Sequence, residues 1–146
     1  MRIATTTLLL AALAVLTSCE ENSPAPGTAL VSGRWMLVAV EEMPIAVSSY
    51  SDTYRSYLQF NAQGSTTEGL APCNSFGGTF ALGAEAGQLT ISPQFSTRTT
   101  CPAQTIEDNY LSALPRTVRY EISGKQLKLY DATNSTKVLL EFKAAE

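Results

Sequence analysis

The run from Ala71 to Phe80, Ala-Pro-Cys-Asn-Ser-Phe-Gly-Gly-Thr-Phe, constrains this chain more than any other stretch. It carries the instructions of a tight turn between two strands. Pro72 fixes φ and gives up a donor, and Asn74 and Ser75 can bond their own backbone. The pair Gly77-Gly78 accepts either a positive φ or the close approach of another backbone. Phe76 and Phe80 add apolar mass at its sides. The rest of the chain reads as elements built to hold this turn.

Those elements are short strands. In Gly33–Val40, Trp35, Leu37 and Ala39 fall on one face by period two, and Pro44 ends the run. Tyr54, Ser56, Leu58 and Phe60 alternate against Arg55, Tyr57 and Gln59 before Asn61-Ala62-Gln63-Gly64 turns the chain. Ser65–Leu70 then leads back to the central run. Gly78–Leu82 and Gln88–Ser92 flank a turn at Gly83–Gly87, and Pro93 permits only an edge or a break before Phe95–Thr99. Val118–Ile122 and Gln126–Tyr130 pair around Ser123-Gly124-Lys125, and Val138–Lys143 is the last strand.

One helix interrupts the pattern, from Pro102 to Leu114. Proline suits its first position, Glu107 and Asp108 sit where the helix dipole favours acid, and Pro115 stops it. Ile106, Tyr110 and Ala113/Leu114 recur at helical spacing and are expected to face the sheet, with Trp35, Phe76 and Phe80 as neighbours. A helix of this length is marginal in water by itself, so packing has to hold it. The chain shows no internal repeat and no second domain. About eight strands and one packed α-helix predict a mainly β fold, a small antiparallel β-barrel or strongly curled sheet, with the helix plugging an opening.

The N-terminus has the proportions of an export signal: Met1-Arg2-Ile3, an apolar run from Leu8 to Leu16, then Leu16-Thr17-Ser18-Cys19. The run is too short to span a membrane. Its ending resembles a bacterial lipobox, which makes residues 1–18 a lipoprotein signal peptide and Cys19 the lipidated first residue of the mature chain. Several acyl chains on Cys19 would anchor it stably, each buried CH₂ contributing about 0.8 kcal/mol. Residues 19–29, with two prolines and a glycine, read as a flexible tether, and residues 30–146 as one folded domain.

Gly33-x-Trp35-x-Leu37, Phe60, and above all Cys73-Asn74-x-Phe76-x-Gly78-x-Phe80 are similar to the META domain family, whose bacterial members include HslJ-like proteins. Leu89-Thr90-Ile91, Thr99-Thr100-Cys101, Glu107, Tyr110 and Leu114 of the helix, Leu127-x-Leu129 and Leu140-x-Phe142 fall where that family has corresponding elements. The resemblance covers about residues 30–143. Ala71-Pro72 departs from it, because the family commonly places a glycine directly before the cysteine. The resemblance implies a small barrel of lipocalin-like topology and a lipoprotein or membrane-associated life tied to stress. It brings no catalytic residues and no cofactor.

Composition narrows function mainly by exclusion. A net charge of −3 without a basic stripe argues against nucleic acid. The absence of histidine removes the commonest general base and metal ligand, and the acids show no calcium-loop spacing. Cys73 and Cys101 are left to pair once Cys19 takes lipid, either as a structural disulfide, as free buried thiols, or as a redox pair with Cys101 at a helix start. Asn74 and Ser75 lack the frame of a nucleophile elbow and read as turn formers. Asp52, Glu68, Glu107 and Asp108 offer carboxylates for glycoside hydrolysis, but their spacing favours no pair and a solvated surface explains them. Of Tyr50, Tyr54 and Tyr57, which could line a binding mouth, Tyr54 and Tyr57 face opposite ways.

The expected function is therefore non-enzymatic: a lipid-anchored protein of the bacterial cell envelope, at the outer rather than the inner membrane, with a binding or stress-integrity role and an envelope protein as partner. A carrier of small apolar ligands in the barrel interior is the alternative, and a carboxylate-based hydrolase the third reading.

Overall fold

The computed structural model describes residues 27–45, 56–134 and 136–146. Cys19, the signal and most of the tether, and Tyr50, Asp52 and Tyr54 lie outside them. The strands are β1 (Arg34–Val40), β2 (Met43–Pro44), β3 (Tyr57–Asn61), β4 (Thr66–Leu70), β5 (Ser75–Leu82), β6 (Leu89–Ile91), β7 (Phe95–Ser96), β8 (Thr117–Ser123), β9 (Gln126–Asp131) and β10 (Val138–Ala144). The helix α1 (Gln104–Ala113) lies between β7 and β8. The strands form a single antiparallel path in the order β6-β5-β4-β3-β1-β10-β9-β8, with the short β2 beside β1 and β7 beside β5.

The path curls into a nearly closed barrel. Its seam lies between β6 and β8, where Gln88 and Arg119 form an isolated bridge and the Tyr120 amide donates to the Gly87 carbonyl at 2.8 Å. Period two decides what goes inside. Trp35 and Leu37, Leu58 and Phe60, Phe76 and Phe80, Leu89 and Ile91, and Leu127 and Leu129 all point inward and are buried. A register shift between Leu37 and Ala39 opposite β10 puts a bulge in β1, after which both Ala39 and Val40 are buried.

The central run divides differently from a single turn. Only Ala71–Asn74 turn, closed by the Ala71 amide on the Asn74 carbonyl at 2.8 Å, and from Ser75 the chain is already strand. Gly77 and Gly78 therefore sit inside β5, where absence of a side chain matters and positive φ does not. A Cβ on Gly77 would come within 2.8 Å of the Phe95 ring, and one on Gly78 within 2.5 Å of the Gln94 amide nitrogen, which donates to the Ser92 carbonyl. The hairpins around Gly83–Gly87 and Gly124–Lys125 form as expected, with Leu82 opposite Leu89 and Ser123 opposite Gln126.

Antiparallel register gives the barrel two distinct ends. At one, the 71–74 loop meets the end of β1, the starts of β3, β8 and β10, and the end of β9. The helix crosses this mouth, starting beside the 71–74 loop and reaching β1 and β10. At the other end the incoming chain from Gly27 turns inward, buries Leu30 completely, and enters β1 under the Trp35 indole N–H, which donates to the Leu30 carbonyl at 2.8 Å. Side chains occupy the space between. Tyr110 packs edge-on to Phe76 with centroids 5.5 Å apart and meets Phe142 at 6.2 Å, while Phe60 and Phe80 form a T-shaped pair at 5.1 Å.

Candidate functional site: a buried carboxylate clamp behind a disulfide

Cys73 and Cys101 are joined by a disulfide, with Cα atoms 5.6 Å apart, that ties the 71–74 loop to the approach of the helix. Both cysteines are half-buried. Behind them lies Glu107, only 2% exposed. One of its oxygens accepts from the backbone amides of Cys73 at 2.7 Å and Asn74 at 2.8 Å, and the other from the Asn74 side-chain amide at 2.6 Å. The expectation of a solvated Glu107 placed by the helix dipole fails, since its side chain is buried. A carboxylate is an acceptor only, and here loop donors surround it, so burial is compensated by charge-assisted hydrogen bonds. Asp108, next in sequence, is exposed and takes the Gln104 amide at 2.9 Å, as the dipole reading supposed.

Asn74 is the hub. Besides its donation to Glu107, its side-chain amide donates to the Thr99 carbonyl at 2.9 Å, and its Oδ1 accepts from the Thr97 hydroxyl at 2.8 Å and the Thr99 amide at 2.6 Å. Both polar atoms of its side chain face partners on other segments, so it crosslinks the loop, the 97–99 stretch and the helix. It forms turns, as its residue type suggests, but most of its bonds reach beyond the turn. The remaining residues of the motif pack rather than bond. Phe76 fills the space under Tyr110, Gly78 leaves room for Gln94, and Phe80 meets Phe60 deeper in the barrel.

The helix faces inward by the expected Tyr110, Ala113 and Leu114, but with Glu107 in place of Ile106. Glu107, Tyr110, Ala113 and Leu114 are buried, while Ile106 is only half-buried. The spacing 107-110-114 is as helical as 106-110-114, and only apolar weighting favours the second. Burial pushes the Tyr110 hydroxyl well above its ordinary range, and that hydroxyl donates to the Tyr57 carbonyl at 3.3 Å. Pro115 ends the α-helix but not the winding, which continues as a 3₁₀ turn over Leu114–Arg116.

That turn delivers Arg116 to a second polar cluster at the same end. Its guanidinium reaches Glu41 at 2.6 Å and also pairs with Asp131, which is 1% exposed. The Thr133 amide and hydroxyl, followed by Arg116, hold the Asp131 carboxyl down to about 2. Arg116 chiefly lowers Glu41, which Lys137 approaches at 3.7 Å. This cluster went unread in the sequence, because its members come from four separate segments. Glu68, the remaining described carboxylate considered for hydrolysis, stands exposed on β4 away from either cluster. Tyr57 faces outward beneath the Arg34 guanidinium, 4.3 Å from the ring centre.

Fold and site together define a filled, nearly closed antiparallel barrel whose helix is clamped across one mouth by a disulfide and a buried glutamate. The chain belongs to the META domain family, whose family model matches residues 28–146. Solved structures share the fold. A protein determined by NMR is 27% identical, with a TM-score of 0.58, over 80% of this chain and 92% of that one. Another NMR structure, of a protein from Burkholderia xenovorans, is 24% identical with a TM-score of 0.62 over 91% and 99% of the two chains. A crystal structure of a DUF4847 family protein from Bacteroides vulgatus ATCC 8482 is 17% identical with a TM-score of 0.59 over 80% and 95%. A search of curated proteins gives no match.

Proposed function

We propose that this chain is a lipid-anchored cell-envelope protein whose META barrel works as a rigid, non-enzymatic binding module through its outer surface. The observation that carries this reading is the interior. Leu30 closes one end, Tyr110 the other, and Phe60, Phe76, Phe80 and Phe142 fill the length between. A carrier of apolar ligands needs an apolar volume of roughly 300 Å³ or more inside it, and these side chains stand where such a ligand would lie. The hydrolase reading loses ground for a separate reason, since Glu107, its most sheltered carboxylate, has both oxygens engaged by the loop. The envelope and lipid parts of the proposal rest on Leu16-Thr17-Ser18-Cys19 and the polar stretch that follows.

Two measurements test it. Mass spectrometry of the protein from a producing bacterium should find Cys19 at the N-terminus with acyl mass on it, and an intact Met1 or a bare Cys19 would sink the anchor. Cross-linking followed by pull-down from envelope extract should recover a partner through exposed barrel positions. Stoichiometric extraction of a fatty acid or other apolar small molecule from the purified protein would instead restore the carrier reading.

A further inference from the structure

The two ends of the barrel differ in how their cations are used. At the helix end Arg116 is consumed by Glu41 and Asp131 and Lys137 approaches Glu41, while Arg98 stands exposed on the 97–99 stretch. At the opposite end Lys125 in the β8–β9 turn and Lys143 near the end of β10 are exposed on one rim. Arg34 at the start of β1 adds a charge beside them, its guanidinium lying over Tyr57 and donating to Gln59 without an acid among the described residues to neutralise it. The acids at this end are Glu146 and Glu85, with Glu20 and Glu21 next to Cys19 in the tether. Glu146 lies 4.0 Å from Lys143 with both side chains largely exposed, and Glu85 is held by the Gln88 amide at 3.2 Å. This rim is basic in a protein whose net charge is −3.

Apolar surface completes the same end. Leu82, 40% exposed at the end of β5, leans over Gly27 and with Val31 and Phe80 borders a shallow groove of about 340 Å³. The chain arrives here too. From Gly27 back to Cys19 there are few residues, and in an extended proline-rich form at about 3.1 Å each they reach about 25 Å.

From this placement we infer that the Arg34–Lys125–Lys143 rim, with Leu82 at its apolar edge, docks on the anionic phospholipid surface of the membrane that holds the chain. The inference rests on the proposed anchor for its geometry, and on the rim itself for its chemistry. Lysine and arginine near an anionic leaflet are attracted over about a Debye length, and each contributes about a fivefold gain in partition. A tether of about 25 Å lets the rim come within that distance, the attraction then draws it onto the leaflet, and the polar helix end faces away from the membrane.

Lysine footprinting tests this. The processed protein is placed on vesicles of pure phosphatidylcholine, and on vesicles with about one-third phosphatidylglycerol. It is then acylated briefly at lysines, and the sites are read by mass spectrometry. Docking predicts that Lys125 and Lys143 are labelled about fivefold more slowly on the anionic vesicles, that Lys137 is not, and that 1 M salt removes the difference. Equal labelling of all three lysines on both vesicle types overturns it. Flotation separates this result from the anchor. Failure to float with neutral vesicles ends the lipid reading, and docking must then appear as flotation with anionic vesicles alone. In either case the triple variant Arg34→Glu, Lys125→Glu, Lys143→Glu should lose the anionic effect, about 100-fold in partition. A triple variant that binds and footprints like the parent also overturns the proposal. Circular dichroism checks that the variant folds, and the double variant Lys125→Glu, Lys143→Glu, which leaves the Arg34 contacts to Gln59 and Tyr57 in place, should lose about 25-fold.

Discussion

The helix end and the tether end of this barrel close the same kind of opening by opposite means. At the helix end closure is polar. Glu107, Asn74, Thr97, Thr99 and the Cys73–Cys101 bridge hold one side, and Arg116, Asp131 and Glu41 the other. At the tether end closure is chiefly apolar, with Leu30 buried under the Trp35 indole bond and the turn pinned by the Ser32 hydroxyl on the Ala29 carbonyl. The difference follows from what each must hold. A helix of three turns has little stability of its own and crosses a mouth whose strand ends leave backbone donors exposed, so something must bond those donors. A segment that runs directly into β1 is already fixed at one end by the sheet, and needs only a plug.

The comparison breaks most visibly at Glu107. Glu107→Ala leaves the Cys73 and Asn74 backbone amides without their acceptor, at about 1–3 kcal/mol for each unsatisfied group, and takes from the Asn74 side-chain amide one of its two acceptors. Chemical denaturation should show a loss of about 4 kcal/mol. Glu107→Gln, which must turn an amide N–H₂ toward a donor, should lose about half of that. Ile106→Ala, one residue away and half-buried, should cost about 1 kcal/mol. If Ile106 proves the costlier position, the clamp is not what holds the helix.

Leu30→Ala sharpens the other side of the comparison. A fully buried leucine in a core loses about 2–5 kcal/mol on truncation, and here the lower half of that range is expected because the mouth can relax toward solvent. Hydrogen exchange should speed up at the Trp35 indole and in residues 27–33, while the amides of Cys73 and Asn74 stay protected. Loss of protection at both ends together would mean that the two closures are one cooperative unit.

The smallest effect is one of pH. The ordinary Asp131 value of 3.8 falls to about 2 in the fold, so its bonds to Thr133 and Arg116 contribute stability above about pH 4 that disappears as the pH drops toward 2. Glu41, lowered by Arg116, adds in the same direction. Asp131→Asn should flatten the acid limb of a plot of melting temperature against pH. An unchanged acid limb would show that the second polar cluster contributes nothing to closing the helix end.

Much of the barrel was legible because strands and hairpins announce themselves locally. Trp35 and Leu37, Leu58 and Phe60, and Leu127 and Leu129 alternate, and Gly83–Gly87 and Gly124 mark the turns. The disulfide was among the readings that cysteine accounting allowed. The clamp was not legible, because a glutamate early in a helix satisfies the dipole whether it is exposed or buried, and nothing in the sequence around it says that the donors of a loop more than thirty residues earlier will meet it. Gly77-Gly78 misled for a similar reason. Two glycines suggest a turn, yet here they clear space for Phe95 and Gln94, a need that appears only once β7 lies against β5. The seam between β6 and β8 is also non-local, set by curvature summed over the whole sheet.

The plug at the tether end has a mechanical side. Any pull transmitted along the chain upstream of Gly27 arrives at Leu30 before it reaches a strand, and the resistance it meets first is the Gly27–Val31 turn and the Trp35–Leu30 bond. Leu30 would slip from its socket while β1, braced between β3 and β10, stayed paired. The segment would thus give way by several residues under tension, like a slack loop paying out of a fixed reel, and spare the rest of the barrel the load.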